Sequence, residues 1–461
     1  MAVTQGYPGV ETDRATGIGP APTFKVFTRK DIDDIAPLQK LSSRDRLAMK
    51  AVSAVLPFRV NNYVIDQLID WDNIPDDPIY QLTFPQPDML EDADFDRMYT
   101  LVKSDAPTEE IRSASREIQA KLNPHPAGQL EMNVPQIDDV ALPGMQHKYR
   151  ETVLFFPAAG QTCHAYCTYC FRWAQFVGID ELKMAARESE QLVAYVRAHP
   201  EIRSILFTGG DPLVMKAKVL RRYIEPLLDP SLSHLESIRI GSKAPAYWPY
   251  KFVSDDDADD LLGLFDDVVE SGRNLSLMAH FTHPNELETY VAKEAIRRVR
   301  ATGAVVRCQA PIVRHVNDNA EAWARMWTEE VKLGAIPYYM FVERDTGAKN
   351  YFAIPLEQAL NIYNEAFRRV SGLARTVRGP SMSATPGKVL VDGVAEIAGE
   401  KVFVLKMLQG RDPDWAGRPF FAKLDPKASW LDHLKPAFGE ERFFFEDALE
   451  GMMKERGSAN A

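Results

Sequence analysis

Three of the four cysteines in the chain, Cys163, Cys167 and Cys170, fall in the stretch CHAYCTYC. No fourth cysteine lies nearby. Three thiolates can hold three corners of a [4Fe–4S] cube and leave the fourth iron open to a substrate or cofactor. The same spacing admits a zinc site completed by a histidine such as His164. A second signal is TGGDPL (208–213), where Gly209 and Gly210 let the backbone come close to a ligand and Asp211 and Pro212 follow at the mouth.

The elements that must position these residues are legible between about 148 and 370. Short β-rich runs alternate there with amphipathic helical segments. The runs are TVLFFP (152–157), SILFT (204–208), ESIRIG (236–241), LSLMA (275–279), AVVRCQAP (304–311) and IPYYMFV (336–342). Strands joined by helical crossovers predict an α/β fold with a parallel sheet. The regular unit length favours a partial (βα)6 TIM-like barrel over an open doubly wound sheet. The polar residues cluster after strand ends, where parallel βα folds place their sites. Residues 1–147 read as a helical N-terminal region. Residues 371–461 read as a smaller α+β region in which VRGPSMSATPGKVLVDG looks like loop, strand and turn, and EKVFVLKML like another strand.

The chain has 461 residues, is 45% apolar, and carries a net charge of −11. That charge argues against a broad nucleic-acid or anionic-membrane surface. The longest apolar runs are strand-sized, far below the roughly 20 residues of a spanning helix. The N-terminus lacks a basic stretch followed by an apolar run, and clustered cysteines in such a chain point to metal or redox chemistry. The expected compartment is the cytoplasm.

CHAYCTYC after the first barrel strand resembles the radical S-adenosylmethionine (SAM) superfamily. The resemblance implies a [4Fe–4S] cluster whose open iron chelates SAM. Tyr169 matches an aromatic residue packed near the adenine, and TGGDPL matches the glycine-rich segment near the SAM amino group. A longer series is similar to the lysine 2,3-aminomutase family: YRETVLFFP, FTGGDPL, IRIGSKAP, HFTHPNE, HVND and PYY, in that order from about Gln146 to Lys388. That family implies pyridoxal 5′-phosphate (PLP) as second cofactor and a radical shift of an amino group from C2 to C3. By resemblance, Arg172 grips the substrate α-carboxylate and Lys388, in TPGKV, carries PLP. Ser242, His280 and Gln309 fall at cofactor-facing strand ends, with His283 and Asn285 close to His280. Cys308 alternates with Gln309 and reads as core.

The chain departs from the family pattern at two places. Relatives put two phosphate-binding arginines before the first strand. Here Lys148 and Thr152, or Arg150 by a different count, stand there. Lysine-specific members also use two aspartates for the distal ammonium. Here Arg344 and Ser381 occupy those positions, with Asp345 the inner residue if the alignment slips by one. A cation facing a desolvated ammonium is unfavourable. The expected substrate is therefore an acidic or neutral α-amino acid, glutamate first, as in the glutamate 2,3-aminomutase branch. The alternative is a PLP-independent radical SAM enzyme on the same scaffold, performing epimerisation, elimination or dehydrogenation. The family also implies a small amino-acid substrate, a flavodoxin or ferredoxin as electron donor, and a homo-oligomer. No C-terminal zinc site is expected, because no cysteine follows Cys308.

Overall fold

A computed structural model describes residues 22–138, 140–179, 183–186 and 189–459. The extreme N-terminus, read above as free of a signal pattern, lies outside the described residues. Eleven strands form one sheet whose spatial order is the chain order. They are β1 (Met145–Tyr149), β2 (Thr152–Phe155), β3 (Ser204–Phe207), β4 (Ser237–Ser242), β5 (Asn274–His280), β6 (Val305–Ile312), β7 (Ile336–Val342), β8 (Arg378–Ser383), β9 (Gly387–Ile397), β10 (Glu400–Gly410) and β11 (Pro419–Lys423).

The six expected strands are β2 to β7, and each pairs in parallel with the next. Helices cross between them at Ser189–Ala198, Ala217–Ile224, Ala258–Glu270, Tyr290–Ala301 and Ala320–Lys332. A doubly wound sheet needs a reversal of strand order, and none occurs. A one-way order with crossovers of one hand wraps the helices on one face and curls the other around a lumen. The α/β partial barrel expected from the sequence is the fold observed.

The sheet continues past the sixth barrel strand. After the helix Leu356–Arg369, β8 joins β7 as a further parallel strand. The stretch expected as loop, strand and turn thus supplies two strands, the first of them built from Gly379, Pro380 and serines of low strand propensity. Gly379 is needed at that point: a Cβ there would stand 2.6 Å from the Met340 Cβ. From β8 onward the pairing is antiparallel, through β9, β10 and β11.

Strand parity sets which residues see the lumen. Ile205, Phe207, Ile238, Ile240, Val306 and Cys308 are buried under the helices. Each such aliphatic or aromatic side chain contributes about 1.5–3 kcal/mol by its burial. Arg239, Gly241, Arg307 and Gln309 alternate with them and are half-buried on the opposite face. A bulge between β6 and β7 adds Tyr338 opposite the Cys308–Gln309 step. Tyr338 and Tyr339 consequently lie together, their ring centroids 4.5 Å apart.

The N-terminal region is mostly helical, with helices such as Ser43–Val52, Asp92–Lys103 and Thr108–Lys121, plus a short ribbon of Val26–Thr28 against Arg59–Asn61. Its apolar residues share one continuous core with the barrel. A second core, around Val391, Phe403, Leu405 and Trp415, lies under β8 to β11. No helix among the described residues is long and apolar enough to cross a membrane.

Candidate active site at the strand ends and lumen

The cysteine loop follows β2 and is strapped down by the N-terminal region. The amide of Tyr166 donates to the Arg59 carbonyl at 2.8 Å, and that of Thr168 to the Leu82 carbonyl at 2.9 Å. The buried Asn61 amide donates to the carbonyls of His164 (3.2 Å) and Tyr247 (2.9 Å). Burial raises all three thiol pKa values, that of Cys170 to about 12, and Cys167 and Cys170 add to the rise at Cys163. Buried thiols that oppose one another's ionisation need a positive centre to become thiolates, which iron supplies. The donor set therefore fits an iron–sulfur cluster. Among the described residues no three His, Cys, Asp or Glu side chains close around a single-ion point. His164 sets its ring edge-on to Phe24 at 5.8 Å.

The glycine-rich loop after β3 packs against this cysteine loop. Gly209 has φ +135°, and a Cβ on it would stand 2.4 Å from the Gln161 Nε2. A Cβ on Gly210 would stand 2.4 Å from the Thr162 carbonyl oxygen. The Asp211 amide donates to that same carbonyl at 2.7 Å. The Asp211 carboxylate accepts from the Leu213 amide (2.9 Å), the Ser242 hydroxyl (2.8 Å) and the Lys243 amide (2.9 Å). Asp211 and Ser242 thus act on each other, tying the loop to the end of β4. Pro212 lies under Gly160, its Cα 3.2 Å from where a Cβ would be.

A buried network that the sequence reading did not identify lies beside the cysteines. Lys243 pairs with Glu286 at 2.7 Å and also donates to the Thr282 hydroxyl (3.0 Å) and the His280 carbonyl (3.2 Å). Thr282 bonds the Tyr169 hydroxyl at 2.9 Å. The Tyr247 hydroxyl lies 3.3 Å from the Cys167 Sγ. His280 stands edge-on to Tyr169 at 6.3 Å and is opposite Gln309 in the β5–β6 register. Burial and Lys243 hold its imidazole well below the usual pKa. His283 is turned to local use, its Nδ1 accepting from the Asn285 amide at 3.4 Å. Cys308 is buried beneath the helices, with Glu330 as its neighbour.

Deeper in, two arginines meet at Phe171. The Arg172 guanidinium lies 4.9 Å from that ring and 4.5 Å from the Phe156 ring, and the Arg344 guanidinium lies 5.2 Å from the Phe171 ring. Arg172 Nη1 and Arg344 Nε are buried without a partner. Among the described residues Arg344 makes one hydrogen bond, from Nη2 to the Pro126 carbonyl at 3.4 Å. Asp345 turns toward the N-terminal region, where its carbonyl accepts from Asn123 at 3.0 Å and its carboxylate at 3.3 Å. Ser381, fully buried on β8, is opposite Phe341.

Lys388, at the start of β9, pairs with Ser383 across the β8–β9 ladder, so it shares a face with Ser381. Its ammonium lies 4.0 Å from the centroid of Tyr339. Burial, then the charges of Arg378 and Arg239, lower its pKa to about 7. A lysine near neutrality is partly a free amine and able to condense with a carbonyl. Lys148 reaches the same space, donating to the Ala384 carbonyl, with Arg411, Arg344 and Lys388 as its charged neighbours. Arg150 is not brought to the site: it is exposed in the turn between β1 and β2. An amine of lowered pKa in a space lined by several cations fits a phosphate-bearing aldehyde cofactor.

No family model matches the chain. Among curated proteins it is 30% identical over 423 residues to a protein of Aquifex aeolicus that bears the name "Putative L-lysine 2,3-aminomutase", covering 92% of this chain and 98% of that one. It is 30% identical over 251 residues to the L-lysine 2,3-aminomutase of Escherichia coli, covering 53% and 68%. The L-lysine 2,3-aminomutase of Clostridium subterminale is 25% identical over 273 residues, covering 59% and 62%. Solved structures superpose only loosely, SuiB of Streptococcus suis with a TM-score of 0.34 and 11% identity over 61% of this chain and 59% of that one. The likeness to the Aquifex protein extends over nearly all of both sequences, and on that ground the chain belongs to the lysine 2,3-aminomutase family of radical SAM enzymes.

Proposed function

We propose that the protein is an amino-acid 2,3-aminomutase acting on a dicarboxylic α-amino acid, glutamate first, and not on lysine. The observation that carries this reading is the pairing of Arg172 and Arg344 at Phe171, each with a buried, unpartnered nitrogen. Two guanidinium groups in one pocket suit a ligand with two carboxylates. The ammonium of lysine would instead meet Arg344, with only the neutral Ser381 opposite.

On this reading the cysteines hold a [4Fe–4S] cluster, the adjoining loops hold SAM, and Lys388 holds PLP. Bound there, these groups supply a hydrogen-abstracting radical and a conjugated system across which an amine can migrate. The chain positions and shields. Arg172 fixes the α-carboxylate and Arg344 the distal one. Lys388 offers an amine that is partly neutral near pH 7. Tyr338, Tyr339 and Phe341 line the lumen and exclude water from a radical that water would otherwise reach. The N-terminal region serves as the clamp of the cysteine loop, and a flavodoxin or ferredoxin supplies the electron.

Anaerobic incubation of cluster-reconstituted, PLP-loaded protein with SAM, reductant and a panel of amino acids tests this. The expected result is 5′-deoxyadenosine release together with β-glutamate. Preferred turnover of lysine would refute it.

A further inference from the structure

Four cations gather at the lumen, and among the described residues none of them is ion-paired to an acid. Arg239 stands on β4, Arg307 on β6, Arg378 opens β8, and Lys388 opens β9. Tyr338 and Tyr339 are the hub. The Arg378 guanidinium lies 4.4 Å and 4.3 Å from their centroids, Arg307 lies 5.0 Å from Tyr338, and Lys388 lies 4.0 Å from Tyr339. Arg239 joins the group electrostatically, its guanidinium influenced by both tyrosines and by Arg307. Its Nη2 reaches only the Thr152 hydroxyl, at 3.5 Å, and its Nε is buried with no partner.

Among the described residues none of these four cations has a carboxylate partner within ion-pair distance. Other interior cations do: Lys243 has Glu286 at 2.7 Å and Lys251 has Asp257 at 3.0 Å. Gathering guanidinium groups out of water is costly unless an anion joins them. Cation–π contact with the tyrosines offsets only part of that cost. The anion must present several acceptor oxygens at once, because the donors converge from three strands. A phosphate monoester has three such oxygens.

We propose that Arg239, Arg307 and Arg378 form a phosphate-monoester site that anchors the phosphate of the cofactor held at Lys388. This rests on the reading of Lys388 as the PLP lysine. It moves the phosphate grip from the segment before β2, where this chain has only Lys148 and an exposed Arg150, to side chains across the lumen.

The test uses full-length, cluster-reconstituted protein freed of PLP. Three probes are titrated at fixed ionic strength: PLP, pyridoxal without its phosphate, and inorganic phosphate. Binding is read from visible absorbance for the aldehydes and from thermal shift for phosphate. Arg378→Met and Arg307→Met are expected to weaken PLP about 10- to 100-fold, to leave pyridoxal within about twofold, and to abolish the thermal shift with phosphate. Arg239→Lys covers the case of a methionine variant that fails to fold, with a smaller loss for PLP alone. Lys388→Ala is expected to lose pyridoxal binding yet keep the thermal shift with phosphate. If the arginine variants load PLP like the wild type while Lys388→Ala does not, this proposal is overturned and the cofactor reading stands. If the wild type takes up neither aldehyde, the cofactor reading fails, and with it the anchoring of that cofactor.

Discussion

Replacing Arg344 by methionine separates a distal-carboxylate pocket from a merely basic one. Arg344 has no carboxylate within ion-pair distance among the described residues, and its only polar contact is the long one to Pro126 at 3.4 Å. Its nearest acids act on it only electrostatically and form no ion pair: burial raises the Glu343 pKa well above normal, and the Asp345 carboxylate accepts from Asn123. A substrate carboxylate would thus form most of its charge-assisted bonds. Each such bond is worth about 1.5–3 kcal/mol, and a guanidinium edge offers one or two. Allowing for side-chain ordering, Arg344→Met should cost about 2–4 kcal/mol for glutamate, or about 30- to 1000-fold in kcat/KM. Glutamine, nearly isosteric but neutral, should lose less than about fivefold. Arg344→Lys should recover part of the glutamate activity, since it restores charge without the fork. The assay is anaerobic turnover with chromatographic separation of the derivatised β-amino acids, normalised to cluster content. An unchanged glutamate-to-glutamine ratio in Arg344→Met would show that this side chain does not read the substrate.

Three further outcomes are expected. Because the Lys388 pKa is lowered to about 7, its amine is protonated below that pH and free above it. The rate of PLP loading should therefore fall about tenfold per unit below pH 7 and level off about one unit above it; a rise continuing toward pH 10 would contradict the assignment. Gly210→Ala places a Cβ 2.4 Å from the Thr162 carbonyl oxygen and 2.6 Å from its amide nitrogen, which forces the glycine-rich and cysteine loops apart. Lower iron content per chain and about 1–3 kcal/mol less stability in denaturant unfolding are expected. Tyr247→Phe removes the hydroxyl 3.3 Å from the Cys167 Sγ. A donor to a cluster sulfur favours the more negative, reduced state, so an EPR-monitored titration should find a lower midpoint potential in the variant; a higher or unchanged potential would count against that bond.

The barrel was readable because its strands are continuous runs of β-branched and aromatic residues between well-patterned helices. TVLF, SILF and IPYYMFV appear in the structure at the positions their sequence indicates. β8 was not readable, since a Gly-Pro-Ser strand is dictated by close approach to Met340 and not by propensity. The short ribbon from Val26 to Thr28 was lost for want of length. At the site, the cysteines, the glycine pair and Lys388 carry local signatures. Arg344 could be placed only by counting between PYY and YFAIP. The lumen arginines left a trace that parity could have caught: Arg239 and Arg307 interrupt otherwise buried strands on the side away from the helices. Asn61, Tyr247 and Glu286 left none, because their partners lie between 80 and 186 residues away or depend on a loop whose path only the fold defines.

The pairing of β7 with β8 and of β8 with β9, irregular between Tyr339 and Phe341, also constrains how molecules enter and leave. Swinging a C-terminal lobe aside would strip the backbone bonds that join Tyr339 to Arg378 and Ser383 to Lys388. On the proposed reading, access is left to the connections at the strand tips, while strand register keeps Lys388 in place whether the mouth is open or shut.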